Sequence, residues 1–188
     1  KLLQARGYAP MRYFFEMLNT ELHAAPDFPL PQGLELRPVF PEHYRAIWDA
    51  HHTAFEDHWG MAPPLPRHYD SSFASRIFQP ALWQVAWEGN EVAGQVRTYI
   101  NEDENRNLSR RRGYTEFVSV GRKWRRRGLA RALIARSLRL LADEGMAESA
   151  LAVDGENLTG ANRVYADCGF QVVKRNTIYR KPLEVPKL

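Results

Sequence analysis

One stretch of this chain, residues 118–133, constrains the fold more than any other. An apolar run with β-branched residues ends at Gly121, and a basic turn follows it. From Gly128 onward the apolar residues recur at helical spacing and share one face. That face consists of Ala130, Leu133, Ile134, Ser137, Leu138 and Leu141. We therefore predict a strand, a basic loop and a helix whose free N-terminal amides bind an anion, such as a phosphorylated ligand.

The composition is that of an ordinary globular chain. It has 188 residues, of which 44% are hydrophobic and 26% charged, enough for one domain with a full core and a short appendage. No apolar run approaches the roughly 20 residues that span a bilayer, so we expect no membrane partner. We expect no signal peptide, and the single cysteine, Cys168, excludes an intrachain disulfide. A cytoplasmic location is the resulting expectation.

The basic residues are clustered, although the net charge is only +4. Six of them lie in residues 122–131 and four in residues 106–112. Such clusters suit a small anionic ligand or an acidic partner. They also allow a nucleic-acid surface, but the interleaved aromatic residues of an RNA-stacking sheet are missing, which argues against that partner.

Periodicity and turn residues give the order of elements. We predict strands over 34–38, 82–87, 91–100, 114–120, 149–153, 170–173 and 176–180. We predict helices over 41–56, 67–78, 128–145 and 158–167, a hairpin turn at 89–90 and a polar loop over 101–113. Helical crossovers on both sides of strand 149–153 imply parallel pairing there. The expected fold class is therefore α/β with a mixed sheet.

Two motifs connect this order of elements to a known family. Arg125-x-x-Gly128-x-Ala130 resembles the Arg/Gln-x-x-Gly-x-Gly/Ala signature of the GNAT superfamily, the acetyl-CoA-dependent N-acyltransferases. Tyr165-Ala-Asp-Cys-Gly169-Phe170 resembles the Tyr-x-x-x-Gly-Phe helix end of the same superfamily. The resemblance covers residues 34–183. It implies a GNAT-type mixed sheet with a central splayed strand pair and flanking helices, and acetyl-CoA or coenzyme A as the cofactor.

The resemblance also implies the residues that hold the cofactor. Backbone groups of one splayed strand would bond the pantetheine arm, and the loop amides would hold the pyrophosphate. The implied cofactor-binding residues are Val118, Ser119, Val120, Arg125, Arg126, Arg127, Gly128, Leu129, Ala130, Arg131, Asn157 and Ala161. One extra residue separates Asn157 from Ala161, compared with the Asn-x-x-Ala pattern of the family.

Three residues are catalytic candidates. Tyr165 would protonate the leaving thiolate, and the alternative is a packed helix aromatic. Many family members carry a glutamate at the position of Tyr114, so Glu116, two residues further along the same strand face, is the best candidate for the base. Tyr114 would then hold a water molecule, and the alternative for Glu116 is a cross-strand partner for an arginine. The Val120 amide would stabilise the developing negative charge.

The predicted function is an N-acetyltransferase that moves an acetyl group to a primary amine of a small molecule by direct attack. Nothing identifies the amine, but candidate lining groups are His51, His52, Glu56, Asp57, Trp59 and Arg97. The histidine spacing does not complete a metal site, so no metal is expected. Two alternatives stay open. One is a catalytically weak or inactive coenzyme A-binding domain, and the other is a nucleic-acid-binding module that uses the arginine clusters.

The first residues of the chain resemble its last helix and strand. Residues 2–12 align with residues 164–174, and Gly7 and Gly169 are 162 positions apart, about one domain. We predict that residues 1–21 are the tail of a preceding GNAT-like domain, or else an N-terminal extension that joins this domain's own sheet. As a tail, the segment should lie outside the sheet of residues 34–183 or at its edge, in intramolecular contact with the preceding domain. Mycothiol synthases are similar in having two such domains. Residues 22–33 would be a linker, 34–183 the acetyltransferase domain and 184–188 a C-terminal tail.

Overall fold

The computed structural model describes residues 2–182 except 57, 158 and 159. Its strands are β1 (Ala9–Asn19), β2 (Glu35–Leu36), β3 (Gln84–Glu88), β4 (Glu91–Ile100), β5 (Arg112–Val120), β6 (Glu148–Asp154) and β7 (Gln171–Arg180). Its α-helices are α1 (Leu2–Ala5), α2 (Tyr44–Phe55), α3 (Pro66–Ser72), α4 (Glu102–Asn107), α5 (Leu129–Asp143) and α6 (Ala161–Asp167). Short 3₁₀ turns lie at Leu22–Ala24, Pro41–His43, Pro80–Leu82 and Arg122–Trp124.

The strands form one mixed sheet in the order β2-β3-β4-β5-β6-β1-β7. β5 and β6 pair in parallel, and the other neighbouring strands pair antiparallel. The predicted α/β fold with a mixed sheet is confirmed. Because β5 and β6 are parallel, the chain must return from the end of β5 to the start of β6, and it does so through α5.

The predicted apolar face of α5 packs on the sheet. Leu133, Ile134, Leu138 and Leu141 are each 0% exposed. A Cβ on Gly113 of β5 would lie 2.3 Å from a methyl carbon of Leu141, so only glycine allows this close approach. On the other face, α2 is fixed to β4 by the Gln95 side chain, whose Nε2 donates to the carbonyl oxygen of Ile47 at 2.7 Å. The sheet therefore holds both helices in fixed positions around β4 and β5.

The central parallel pair opens along its length. Pairing between β5 and β6 is confined to three positions, from Arg112–Glu148 to Tyr114–Ala150. Both strands then continue without pairing with each other, β5 to Val120 and β6 to Asp154. The predicted splayed strand pair is confirmed, and its gap lies directly before the loop that leads to α5.

The first strand of the chain is not where we expected it. β1 lies inside the sheet, antiparallel to both β6 and β7. The expectation that this segment lies outside the sheet or at its edge is therefore wrong. Parallel pairing on the second side of β6 is wrong for the same reason, because β1 separates β6 from β7. Whether residues 1–21 belong to a preceding domain stays a prediction.

Several element boundaries also differ from the sequence prediction. The predicted loop over 101–113 contains α4, whose N-cap side chain, Asn101, accepts a hydrogen bond from the Glu104 amide at 3.2 Å. Three acidic residues in its first turn favour this short helix. The two predicted last strands are one strand, β7. α3 ends at Ser72 instead of residue 78. The predicted helix start at Leu158 and the tail over 184–188 lie outside the described residues.

The predicted linker over 22–33 packs against the domain. Leu22 is 2% exposed, and Phe28 and Leu30 contact the main core. Arg139 of α5 also bonds this segment through the Pro26 carbonyl at 3.4 Å. The segment therefore covers α5 and holds the end of β1 close to this domain.

Candidate active site

The loop between β5 and α5 offers a row of free amides. The first backbone bond of α5 runs from Ala132 to the Gly128 carbonyl at 3.2 Å. Within the described part of the chain, no backbone carbonyl accepts a bond from the amides of residues 126–131. The dipole of a 15-residue helix adds partial positive charge at the same place. The loop therefore fits an anionic group such as a pyrophosphate.

The loop depends on left-handed backbone at two positions. Gly128 has φ 86° and Arg126 has φ 63°. A Cβ on Gly128 would meet no atom within 4 Å, so conformation, not crowding, requires glycine here. For Arg126 the same region is strained, and such strain is often found at ligand-binding loops.

The arginine side chains of the loop are held by the protein. Arg125 donates through Nε to the Val120 carbonyl at 3.1 Å and through Nη2 to the Ala54 carbonyl at 3.0 Å. Arg127 donates to the Gln32 carbonyl at 2.8 Å, and Arg131 forms an ion pair with Asp167. These bonds fix the shape of the loop and leave its amides as the anion-binding groups.

The backbone of β5 alternates between β4 and the gap. The Gly121 amide donates to the Ala93 carbonyl of β4 at 3.0 Å. Backbone groups alternate sides along a strand, so those of Ser119 point toward β4, whereas those of Val118 and Val120 point toward the gap. A register shift in the β4–β5 ladder lies at Phe117, whose φ is 52°, directly before Val118. Val118 and Val120 can therefore bond an extended ligand in the gap.

Glu116 lies beside the gap. The Ala152 amide on β6 and the Tyr99 hydroxyl on β4 are close enough to its carboxylate to favour the ionised form. Burial raises the pKa of Glu116 above the usual range of a carboxyl, and these two neighbouring donors lower it in part. The residue directly opposite on β4 is Arg97. A carboxylate with a raised pKa at this place suits proton transfer near neutral pH.

Tyr114 supports Tyr99 instead of facing the carboxylate with a free hydroxyl. The two rings stack with centroids 4.8 Å apart and an interplanar angle of 11°. The Tyr114 hydroxyl donates to Glu104 at 2.7 Å and accepts from Arg110 at 3.0 Å. Tyr114 is therefore placed to position Tyr99. Sequence reasoning missed Tyr99, although it follows Arg97 by two residues on the same strand face and lies opposite Tyr114.

Tyr165 joins Glu116 in the same region. It is 8% exposed, belongs to the main core, and contacts the Phe170 ring edge-on with centroids 6.2 Å apart. Burial raises the pKa of Tyr165, and the negative charge of Glu116 raises it further. The hydroxyl is therefore protonated at neutral pH. Tyr165 on α6 is therefore within electrostatic range of Glu116 on β5, and it also has the packing contacts of a core aromatic.

The segment between β6 and α6 carries the last two predicted cofactor contacts. The Asn157 amide donates to the Asp154 carbonyl at 3.2 Å, which forms a turn at the end of β6. Ala161 begins α6 after Gly160, whose φ is 73°. Both residues follow the open end of β6, close in the chain to the gap. Leu158 and Thr159 between them lie outside the described residues.

A small pocket of about 10 Å³ between α2, α3 and β4 is lined by aromatic residues and one cation, Arg97, which is paired with Glu116 in the β4–β5 ladder. Its lining residues are Tyr44, Ile47, Trp48, Tyr69, Ser72, Phe73, Phe78, Trp83 and Arg97. The Arg97 guanidinium lies 5.3 Å from the ring centroid of Trp83 and 5.5 Å from that of Phe117. Burial lowers the pKa of Arg97 to about 10, so it stays charged at neutral pH. Its Nη2 is buried and has no hydrogen-bond partner within the described residues.

Apart from Arg97, the predicted lining groups in the described residues do not line this pocket and make separate contacts. His51 packs against Phe117 with ring centroids 5.9 Å apart. Burial and the charge of Arg97 lower the pKa of His51 to about 3, so its ring is neutral. The His52 ring is bonded to the Trp48 carbonyl at 2.9 Å. By contrast, Glu56 faces Arg122, and Trp59 lies under the Arg12 guanidinium. Asp57 lies outside the described residues.

Neither a metal-binding cluster nor a membrane-spanning helix is present among the described residues. Across residues 2–182 without 57, 158 and 159, no group of three or more His, Cys, Asp or Glu side chains is arranged to hold a metal ion. In the same residues, no helix has the length and apolar character needed to cross a membrane.

A loop of free amides at a helix start, a splayed strand pair and a half-buried carboxylate beside the gap are together typical of an acyltransferase site. The model of the acetyltransferase (GNAT) family matches residues 44–170, and the chain belongs to this family.

Relatives of the chain are mycothiol acetyltransferases. One from Streptomyces bingchenggensis is 30% identical over 156 residues, which cover 82% of this chain and 48% of the relative. One from Streptomyces scabiei is 29% identical over 181 residues, which cover 95% of this chain and 56% of the relative. The chain thus spans about half the length of these relatives.

Solved structures show the same fold. A GCN5-related N-acetyltransferase from Sphaerobacter thermophilus has a TM-score of 0.80 and 29% identity, with 96% of this chain and 54% of that chain covered. A tandem GNAT protein from the clavulanic acid biosynthesis pathway has a TM-score of 0.64 and 15% identity, with 94% of this chain and 56% of that chain covered. The second likeness is one of fold alone.

Proposed function

We propose that this chain transfers the acetyl group of acetyl-CoA to a primary amine of a small molecule by direct attack. The observation that carries the proposal is the opening of the β5–β6 pair before a loop of free amides, with the half-buried Glu116 on β5 and the Tyr165 phenol near enough to it for its charge to raise the pKa of Tyr165. A carboxylate and a protonated phenol at one site can accept one proton and donate another.

The cofactor would lie along the gap and the loop. Its thioester supplies the acetyl group when it is bound. The amides of Arg126 to Arg131, with Gly128 and Leu129 at the turn, would hold the pyrophosphate, as their unbonded state allows, whereas the Arg125 amide already donates to the Arg122 carbonyl at 3.3 Å. Val118 and Val120 would bond the pantetheine arm, Ser119 between them would stay paired with β4, and Asn157 and Ala161 would lie at the far edge of the site. The free amides and the unpaired gap fit an anionic ligand with an amide-rich arm.

The side chains in the gap would divide the proton transfers between them. Glu116 would accept a proton from the attacking amine, directly or through water, because its raised pKa keeps it an effective base near neutral pH. Tyr165 would donate its hydroxyl proton to the leaving thiolate. The Val120 amide, directed at the gap, would stabilise negative charge on the carbonyl oxygen. Tyr99 and Tyr114 would act as positioning residues for Glu116.

The acceptor would bind between α2, α3 and β4. The relatives named above are mycothiol acetyltransferases, and we propose that the acceptor of this chain belongs to the same chemical class as theirs. Arg97, charged and with one donor unpaired within the described residues, would hold an anionic or hydroxyl-rich part of that amine. We also propose a cytoplasmic location, in which the buried thiol of Cys168 stays reduced.

A second candidate function is coenzyme A binding without turnover. The bonded Tyr114 at the position where many family members carry a glutamate favours it. A panel of primary amines separates the two functions, since only an acetyltransferase releases coenzyme A in proportion to acetylated amine. Nucleic-acid binding has less support, because the side chains of Arg125, Arg127 and Arg131 are committed to contacts within the domain.

Replacement of Gly128 by valine should abolish tight coenzyme A binding. The φ of 86° strains any other residue, and a branched side chain would obstruct approach to the amides. We expect the dissociation constant to rise by roughly 100-fold, which corresponds to about 2.7 kcal/mol. The measurement is isothermal titration calorimetry with coenzyme A. Gly145→Val at the other end of α5 is the matched control, because Gly145 has φ 79° and equally open surroundings. Equal affinities for both variants would contradict the placement of the pyrophosphate.

Replacement of Arg97 by methionine should raise the KM for the acceptor by roughly tenfold, about 1.4 kcal/mol, and leave coenzyme A affinity unchanged. The change removes the cation of the aromatic pocket and keeps much of its volume. Arg45→Met is the control, since Arg45 also stacks on an aromatic ring, that of Tyr69, but is exposed. Unchanged acceptor KM in Arg97→Met would remove this residue from the acceptor site.

A further inference from the structure

The ladder between β1 and β7 has a symmetry that matches the sequence repeat. Phe14 pairs with Asn176, and these two positions differ by 162, the same offset that relates Gly7 to Gly169. If 162 is added to the β1 residue of a pair and subtracted from its β7 residue, each remaining pair of the ladder becomes another pair of the same ladder. Ala9–Arg180 exchanges with Leu18–Gln171, Pro10–Tyr179 with Met17–Val172, Arg12–Ile178 with Glu16–Lys174, and Tyr13–Thr177 with Phe15–Arg175.

The irregularities of the ladder make this match informative. A regular antiparallel ladder without bulges would accept any offset, because its pairs all have the same sum. Here the two register shifts leave one extra residue on each strand, Met11 on β1 and Val173 on β7. These two residues are also 162 positions apart, and they are 40% and 59% exposed. The bulges therefore select the same offset as the alignment of the sequence.

The surroundings of the two strands follow the same relation. Each strand is preceded by a short helix and a left-handed glycine, Gly7 with φ 79° and Gly169 with φ 88°. The relation fails in one respect. The second half of β1, from Phe14 to Asn19, also pairs with β6, whereas β7 is the last strand of the sheet in the described residues. Its equivalent half, residues 176–181, therefore has one open edge.

We propose that this edge of β7 is paired by a strand of a preceding GNAT-like domain in the same polypeptide. The strand would be the counterpart of β6 in that domain, and it would run antiparallel along residues 176–181. The two sheets would then continue into each other through β1 and β7 across a local two-fold axis at Phe14 and Asn176. The share of about half that this chain covers in its relatives leaves length for such a domain.

The exposed apolar residues support this partner. Met17, buried in the core of this domain, corresponds to Tyr179, and the partly buried Phe15 corresponds to Thr177. In β7 these two positions are half-buried and belong to neither hydrophobic cluster of the described residues, and Ile178 between them is 40% exposed. Unpaired edges with apolar residues are a hazard that proteins normally cover. The same offset places Leu3 at the position of Tyr165, so the proposed phenol would be missing from the preceding domain.

Amide hydrogen exchange in the natural, full-length protein tests the proposal. The outward amides of residues 176–181 should exchange at least roughly tenfold more slowly than those of residues 171–174, which are the internal control. The intact mass of the natural protein should exceed 21.7 kDa by about a domain. Equal exchange in the two halves, or a natural protein of 21.7 kDa, would overturn the proposal. Protection that disappears on dilution would assign the edge to a second copy and overturn it as well.

A pair of substitutions in the full-length protein gives an independent test. Tyr179→Asp should lower the melting temperature more than Val173→Asp, because only Tyr179 would lie in the covered half of the strand. The two positions belong to the same strand, and Val173 is the exposed bulge residue. Equal shifts of the melting temperature would contradict the domain contact. If Tyr179→Asp does not fold, amide hydrogen exchange in the unsubstituted protein tests the domain contact instead.

Discussion

Glu116→Gln should lower kcat/KM for the amine by roughly 10²- to 10⁴-fold, the range of a lost general base. The carboxylate must be ionised to accept a proton, so activity in the unsubstituted chain should fall as the pH drops through the pKa of Glu116. Because burial raises this pKa, the acid limb should lie above the usual carboxyl range. The pH profile of kcat/KM measures the limb, and the limb should be missing in the residual activity of Glu116→Gln.

The same variant should keep its fold. A raised pKa means that the folded state favours the protonated carboxyl, so Glu116 costs stability as the pH rises through its folded pKa. A neutral amide avoids this cost, and thermal unfolding at neutral pH should show a melting temperature no lower than that of the unsubstituted chain. Glu148→Gln is the control, because Glu148 is also a partly buried carboxylate but pairs with Arg112 outside the gap. Full activity in Glu116→Gln would leave Glu116 as a structural cross-strand residue.

Tyr165→Phe should lower kcat by roughly 10²-fold, as expected for a lost general acid, with little change in coenzyme A affinity. The phenol is held by Phe170 and the core, so phenylalanine keeps the packing and removes only the hydroxyl. The contacts proposed for the pyrophosphate and the pantetheine are made by backbone groups, which this change does not touch. The measurements are kcat with an active amine and the coenzyme A dissociation constant by calorimetry.

A matched tyrosine outside the site controls for loss of any phenol. Tyr8 is 38% exposed and belongs to the first turn before β1, so Tyr8→Phe should leave both kcat and the dissociation constant unchanged. Full turnover by Tyr165→Phe would return Tyr165 to a packing role, with solvent as the proton donor. A joint loss of turnover and coenzyme A binding would instead place the hydroxyl in the binding of the cofactor.

Local patterns predicted most of the fold. The periodicity of α5, the turn at Gly89 and the alternation of β3 and β4 follow from neighbouring residues, and all were confirmed. The insertion of β1 could not be predicted in this way, because the choice of partner for an antiparallel strand depends on contacts more than 100 residues away in sequence. The helix α4 did have a local signal, Asn101 followed by three acidic residues, which the prediction of a loop overlooked.

The site was predictable where alternation decides and unpredictable where the strand is irregular. Two-residue spacing placed Tyr114 and Glu116 on one face of β5, whereas the acid role predicted for Tyr165 from its motif stays a prediction. The positive φ of Phe117 has no signal in its residue type, since bulky side chains rarely adopt it. The bonds of Tyr114 to Glu104 and Arg110 depend on α4, so they could not be predicted once this helix was taken for a loop.

The most direct test of the account is acetyl transfer itself. The chain is incubated with acetyl-CoA and a panel of primary amines that includes the acceptor of mycothiol acetyltransferases. Released coenzyme A is followed by its free thiol, and the amines are examined by mass spectrometry. The account predicts thiol release that depends on one class of amine and equals the amount of acetylated product. Coenzyme A binding with no acetylated amine, and with thiol release independent of every amine, would contradict it.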